Sequence, residues 1–204
     1  DAGVPVVAHR LCQSAAECVA AWKAIDGPVA IKGCSRDMPH KSEFGLVRLG
    51  VNDEAAAADA FEAMHKIMRD HGARFEGVLV AAMLKGRREL VIGAHRDPTF
   101  GPVVLVGDGG KYVEALGDVR VLLPPFTAAE VERKLRTLRI APLLDGVRGE
   151  PPLDLAAFCE AAVKIGALML APESRIASLD LNPVMVGAAG EACAVADALV
   201  VQQT

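Results

Sequence analysis

The most constraining stretch of the chain is Ile176-Ala-Ser-Leu179-Asp180-Leu181-Asn182-Pro183-Val184-Met185-Val186, followed by the small turn Gly187-Ala-Ala-Gly190 and the return Glu191-Ala-Cys-Ala-Val195-Ala-Asp197-Ala-Leu199-Val200. It reads as a β-hairpin that carries three oxygen donors. Strand side chains alternate faces, so Asp180 and Asn182 project from one side. Folding the hairpin symmetrically about its four-residue turn sets Asp197 opposite Asp180. Like charges directly opposite cost up to about 1 kcal/mol, and paired carboxylates raise one pKa. The arrangement therefore suits a hard cation, and carboxylate and amide oxygens suit Mg²⁺ or Mn²⁺. The plainer alternative has one Asp capping a turn and the other on a solvated strand face.

With 204 residues, 52% of them hydrophobic, the chain is long enough to bury a substantial core as one large domain or two small ones. A net charge of -4 with one Trp and one Tyr gives no support to nucleic-acid binding. Any phosphate binding must then be local. Cys12, Cys18, Cys34, Cys159 and Cys193 show neither CxxC nor zinc spacing, which predicts reduced thiols in a cytoplasmic protein. No stretch is long and apolar enough to span a bilayer and no signal sequence stands at the start. The opening at Asp1, running at once into apolar Val4 to Ala8, suggests a segment of a longer polypeptide.

Ser14-Ala-Ala-Glu17 reads as a capping box opening a helix to about Ile25, and Gly27-Pro28 halts it before the strand Val29 to Lys32. A polar loop from Gly33 to Gly45 leads to the strand Leu46 to Val51. Asn52-Asp53 then caps a helix from Glu54 to about Asp70, with Phe61, Met64, Ile67 and Met68 on one apolar face. Val78 to Met83 and Glu89 to Ala94 are strands joined through Lys85-Gly86-Arg87, a spacing that predicts a hairpin. Strands Pro102 to Val106 and Val119 to Leu123 follow. Thr127-Ala-Ala-Glu130 is a second capping box, for a helix to about Arg139, and Pro151-Pro152 with Asp154 opens a helix over Leu155 to Leu170. Helices between strands and several hairpins predict an α+β fold with two sheets and a cleft between them.

Four features carry chemistry. Lys32 ends an apolar strand, as a point charge suited to nucleotide phosphates or as a snorkelling surface residue. The loop Ser35-Arg36-Asp37-Met38-Pro39-His40-Lys41-Ser42 sets an imidazole with a usual pKa of about 6.5 between two cations, which keeps it neutral and nucleophilic. A solvated loop histidine is the alternative. Gly107-Asp108-Gly109-Gly110 after a strand presents backbone N–H groups to phosphate oxygens, or is simply a turn. Glu89, beside Arg87-Arg88, and the group Arg96 to Pro102 are further candidates whose plain reading is a hairpin surface.

Together these segments resemble the ATP-grasp domain of the NDP-forming acyl-CoA synthetases, which include ADP-forming acetate-CoA ligases and are related to the succinyl-CoA synthetase β subunit. The likeness covers nearly the whole chain. It is carried by Pro28-Val-Ala-Ile-Lys32, Asp37-Met-Pro-His40-Lys41-Ser42, Gly86-Arg-Arg-Glu89-Leu-Val-Ile-Gly93, Arg96-Asp-Pro-Thr-Phe-Gly-Pro-Val103, Gly107-Asp-Gly-Gly-Lys-Tyr-Val-Glu114, Leu144-Asp-Gly-Val-Arg-Gly149 and Leu179-Asp-Leu-Asn-Pro183.

The resemblance implies an ATP-grasp fold of two α+β subdomains with the nucleotide cleft between them, a small one over about 16–82 and a large one over about 1–15 plus 83–204. It implies ATP or ADP with Lys32 on the phosphates, Val80, Ala81, Ala82, Met83 and Glu89 near the nucleoside, and Lys41, Ser42, Gly109 and Gly110 as phosphate-loop candidates. Asp180, Asn182 and Asp197 would hold Mg²⁺ or Mn²⁺. His40 occupies the family's second phosphohistidine position, and the implied reaction joins a small carboxylic acid to CoA with conversion of ATP to ADP and phosphate. CoA would be a substrate of the full enzyme, bound by a CoA-binding and CoA-ligase region in the same or a separate chain, and an oligomer is compatible. Two residues depart from the family pattern. Leu46 replaces the second glycine after His-Lys-Ser, and Ala81 stands where the hinge strand usually offers Gln. A nucleotide-sensing or structural module of a larger protein, such as a lysine acetyltransferase, is the reading from another class; intact His40, Lys32 and the oxygen trio favour catalysis. A carboxylate-amine ligase of the wider ATP-grasp type is third, and the His-Lys-Ser loop counts against it.

Overall fold

Two compact units divide the chain, Val7–Met83 and Asp1–Val6 with Leu84–Thr204. The computed structural model describes residues 2–39, 41–84, 86–110, 113–191 and 193–203, apart from the Glu114 side chain.

In the Val7–Met83 unit, β1 (His9–Cys12), β2 (Val29–Cys34), β3 (Val47–Val51) and β4 (Gly77–Ala82) form an antiparallel sheet of order β1-β4-β2-β3, accompanied by α1 (Ala15–Ala24) and α2 (Glu54–Asp70). Local chemistry sets both helix starts. Ser14 Oγ accepts the Glu17 N–H at 3.2 Å, and Asp53 Oδ1 accepts that of Ala56 at 2.7 Å, each satisfying one of the donors a helix start leaves open. The expected capping box at Ser14 closes differently, because the Glu17 carboxylate takes the Gln13 N–H. Ala57, Ala60, Phe61, Met64 and Met68 recur at helical spacing on α2 and are buried with Ile31, Val78 and Val80 of the sheet. Ile67, expected on that face, is only partly buried.

Residues 7–15 belong to this unit, not to the larger one, because β1 pairs along its whole length with β4. The strand starts later than the apolar run Val4 to Ala8, since Val6 makes only an isolated bridge, to Val195. The hairpin expected between Val78–Met83 and Glu89–Ala94 does not form. Both edges of β4 are taken by β1 and β2, which leaves no free ladder for the next strand.

The second unit holds β5 (Arg88–Asp97), β6 (Gly101–Asp108), α3 (Val113–Leu116), β7 (Val119–Leu122), α4 (Ala128–Leu135), α5 (Ala141–Leu144), α6 (Leu155–Leu170), β8 (Ile176–Val186), β9 (Cys193–Val195) and β10 (Ala198–Gln202). Its sheet runs β10-β8-β5-β6-β7, with β9 also on β8. The β5–β6 turn is the true hairpin, with Asp97 Oδ1 accepting the Thr99 and Phe100 N–H groups. One sheet face packs on α4 and α6, where Leu90, Ile92, Val104, Val106 and Leu181 meet Val131, Leu135, Phe158 and Ile165. α6 approaches closely because it presents Ala161, Ala162 and Gly166; a Cβ on Gly166 would lie 3.0 Å from the Phe126 ring. Arg96 ties the end of α6 to the start of β8, donating to the orphan Met169 carbonyl of the last helical turn and to the carbonyl oxygens of Ser174 and Ile176 beyond it. Among the described residues no helix is long and apolar enough to cross a membrane.

Candidate functional site

The hairpin that carries the oxygen donors closes with a longer loop than its sequence symmetry suggests. Val186 pairs Cys193, so the ladder closes at that pair and the loop opens at Gly187. The reason is local competition for hydrogen bonds. Gly187 accepts from the Asp154 N–H, Ala188 bridges Leu153, and the Glu191 carboxylate takes the Ala188 N–H at 2.7 Å, so the turn residues are spent on the start of α6. The register therefore moves by two. Asp180 faces Leu199 on one side and Gly93 on the other. Asp197 falls between the pairs Val184↔Val195 and Leu181↔Ala198, across from Asn182. The two aspartates are not directly opposed as expected. A shift of two leaves the face unchanged. Among the described residues no three His, Cys, Asp or Glu side chains gather into a metal-sized cluster.

Asn182 meets the glycine loop. Its Oδ1 accepts the Gly110 N–H at 2.8 Å, and the Gly109 N–H donates to the Glu89 carbonyl at 3.0 Å. Both N–H groups that the sequence offers to phosphate are thus engaged inside the protein. Gly110 has φ +79°, and a Cβ there would lie 2.2 Å from Glu89 Oε2; a Cβ on Gly109 would lie 2.5 Å from the Leu90 carbonyl carbon. At Gly109 the obstacle is backbone and at Gly110 the backbone angle is left-handed, so glycine suits both positions. Glu89, Gly109 and Gly110 line a cavity of about 410 Å³ with Gly86, Arg87, Arg88, Asp108, Leu116 and Met185. Arg88 and Asp108 form an ion pair there, with Nη2 at 2.6 Å and Nε at 3.1 Å from Oδ1. In the sequence Arg88 reads as surface and Asp108 as a turn residue. The β5–β6 register, Leu90 opposite Asp108, makes them diagonal neighbours, a relation that the hairpin count reveals once its turn is placed correctly.

A larger cavity, about 620 Å³, lies elsewhere in this unit among Phe100, Val121, Leu123 and Phe126; of the sequence candidates only Asp97 and Phe100, from the Arg96 to Pro102 group, line it. Its carboxylates are already occupied. The Phe100 and Thr99 N–H groups hold the Asp97 carboxyl below its ordinary range, and the Thr127 N–H does the same for Glu130. The smaller cavity is the one that the candidates Glu89, Gly109 and Gly110 line.

In the Val7–Met83 unit, Lys32 is 6% exposed on β2, between Val47 and Leu79 in the register, which excludes the snorkelling alternative. Val80 turns its side chain into the core, Ala81 is buried, Ala82 is half-buried, and Met83 is 37% exposed with its Sδ accepting the Gly50 N–H. Lys41 is half-buried and Ser42 exposed, in a turn closed by the Leu46 N–H donating to the Lys41 carbonyl at 2.8 Å. Leu46 is fully buried in the core. It thus pins the end of this loop. Arg36 pairs with Glu76, and Asp37 Oδ2 takes the Arg74 N–H. His40 lies outside the described residues.

The chain belongs to the ATP-grasp domain family, whose model matches residues 1–201. It is 34% identical over 201 residues to the β subunit of acetate–CoA ligase (ADP-forming) II of Pyrococcus furiosus, covering 98% of this chain and 85% of that one. It is 37% identical over 197 residues to the 4-hydroxybutyrate–CoA ligase (ADP-forming) of Nitrosopumilus maritimus, where it spans 96% of itself but only 28% of the relative. A solved structure of the dinucleotide-forming acetyl-coenzyme A synthetase 1 of Ca. Korarchaeum cryptofilum, in complex with coenzyme A, Ca-AMPCP and HgCl⁺, superposes with a TM-score of 0.91 at 32% identity, over 99% of this chain and 88% of that one.

Proposed function

We propose that this chain is the nucleotide-binding portion of an ADP-forming acyl-CoA synthetase, catalysing acid plus CoA plus ATP to acyl-CoA plus ADP and phosphate, in either direction. The observation that carries the reading is that Glu89, Gly109 and Gly110 line one cavity, with Asn182 hydrogen-bonded to Gly110, in a chain that matches an acetate–CoA ligase β subunit over most of its length.

In this reading Lys32 neutralises nucleotide phosphate as a compact point charge on β2. Backbone at Ala81 and Ala82, with the exposed Met83, borders the nucleoside, and Glu89 binds its polar edge. Asp180, Asn182 and Asp197 supply oxygens to Mg²⁺ or Mn²⁺; Asn182 Oδ1 keeps a second lone pair beyond the one given to Gly110. Bound there, the cation would offset charge on the phosphates. His40 attacks the γ-phosphorus through a ring nitrogen, a P–N bond forms as the bond to the bridging oxygen breaks, and ADP leaves. The phosphoryl group then passes to a CoA-ligase region, in the same or a separate chain, where the acid and CoA react. All five cysteines are free, in keeping with a cytoplasmic setting.

Calorimetry on the full-length protein tests this reading. ATP should bind with Mg²⁺ and much more weakly in excess chelator, and Asp197→Asn should blunt the Mg²⁺ dependence. Equal ATP affinity with and without Mg²⁺ sinks the metal assignment, and no binding in either condition sinks the nucleotide assignment.

A further inference from the structure

We propose that Arg88 and Asp108 form a positioning latch that holds the Gly109–Gly110 loop against Glu89 and Asn182. The functional half of the proposal rests on the nucleotide reading above.

Asp108 ends β6 and directly precedes the two glycines, and its side chain is 11% exposed. Arg88, at the start of β5, meets it with two N–H groups converging on Oδ1. Charge-assisted contacts of this kind are the strong ones.

The glycine pair after Asp108 needs such a restraint. Two successive glycines lose more backbone freedom on ordering than any other pair, and Gly110 sits at φ +79°. Against that cost stand the Gly109 N–H bond to the Glu89 carbonyl, the Gly110 N–H bond to Asn182 Oδ1 and the long contacts of the Gly110 carbonyl, which accepts from Val113 N–H at 3.3 Å. The second bond also fixes which end of the Asn182 amide faces the loop, because Nδ2 then lies toward the Gly110 carbonyl at 3.5 Å. The ion pair thus acts through the loop on Asn182 and Glu89. Neither Arg88 nor Asp108 is a metal or nucleotide donor in the proposed site. Their loss should loosen the site while leaving the α4–α6 core packed, because that core is built from other residues.

The test uses Asp108→Asn, Arg88→Gln and their double variant in the full-length protein. Amide exchange of Gly109 and Gly110 should quicken by about tenfold or more in each single variant, while Ile92 and Val106 keep their protection. ATP affinity in Mg²⁺ should fall about tenfold in each, and the double variant should match the singles, because a pair acting as one unit is not additive. Unchanged exchange at both glycines overturns the latch, as does exchange that quickens throughout the sheet, including in a variant that fails to fold. Quickened glycine exchange with unchanged ATP affinity, or additive losses, overturns its positioning role. Failure of the parent protein to bind ATP would sink the nucleotide reading instead, and the exchange arm would still judge the latch.

Discussion

Replacing Gly109 by alanine should destabilise the Leu84–Thr204 unit more than the same change at Gly110, although Gly110 holds the unusual backbone angle. At 109 the new Cβ would lie 2.5 Å from the Leu90 carbonyl carbon and 2.6 Å from its oxygen. Contacts between carbons settle near 3.5 to 4.0 Å, so β5 would have to retreat by roughly 1 Å. That strand is hydrogen-bonded on both edges, to β6 and β8, and Leu90 is fully buried. Overpacking costs about 1–3 kcal/mol and losing the Gly109 bond to the Glu89 carbonyl adds about 1 kcal/mol, for a total of about 2–4 kcal/mol. At 110 the obstacle is Glu89 Oε2, the far end of an exposed side chain that can swing away. There the left-handed backbone remains, worth about 1–2 kcal/mol for alanine. Guanidinium denaturation followed by far-UV circular dichroism measures both variants. Trp22, the one tryptophan of the chain, lies on α1 and reports on the Val7–Met83 unit in the same samples. A Gly109→Ala loss smaller than that of Gly110→Ala, or below about 1 kcal/mol, would refute the packing argument.

His40 should take up acid-labile, base-stable phosphate within a short incubation of the full-length protein with labelled ATP and Mg²⁺. Phosphopeptide mapping locates the label, and normal turnover in His40→Ala would end the relay reading. Burial pushes the thiols of Cys18 and Cys193 up to about 11 and that of Cys159 up to about 12, from an ordinary 9.0. Above pH 9 the unfolded chain then ionises while the native one holds its protons, so these thiols make stability fall as pH rises from 9 toward 12. Changing all three to alanine or valine should flatten that slope in pH-dependent denaturation, and an unchanged slope would contradict it. The same burial predicts that Cys159 reacts with a thiol reagent at pH 8 only on unfolding, which mass spectrometry after timed labelling can check.

Wherever local chemistry outweighs tertiary demand, the elements are legible in the residues. The helix over Glu54–Asp70 follows from Asp53 and an apolar repeat at helical spacing, and that over Leu155–Leu170 from Asp154 and the prolines before it. The oxygen donors Asp180 and Asn182 are readable because strand alternation is a property of the chain itself. The Val78–Met83 and Glu89–Ala94 pairing fails for the opposite reason, since nearness in sequence says nothing about which edges other strands have already taken.

The hairpin register shows where that boundary lies. Alternation along β8 puts Asp180 and Asn182 at positions of one parity, whereas Asp197 stands in the break between β9 and β10. Which of them stand opposite one another was decided by Leu153, Asp154 and Glu191, remote or loop residues whose hydrogen bonds drew Gly187 and Ala188 out of a tight turn and moved the ladder by two. The Arg88–Asp108 pair is of the same kind. Each residue reads as surface or turn in the chain, and only the β5–β6 ladder brings their charges within 2.6 Å. Periodicity and capping act over a few bonds and are written in neighbouring residues, whereas register and charge pairing depend on which hydrogen-bonding groups other segments leave unsatisfied, and that balance exists only once the chain has closed on itself.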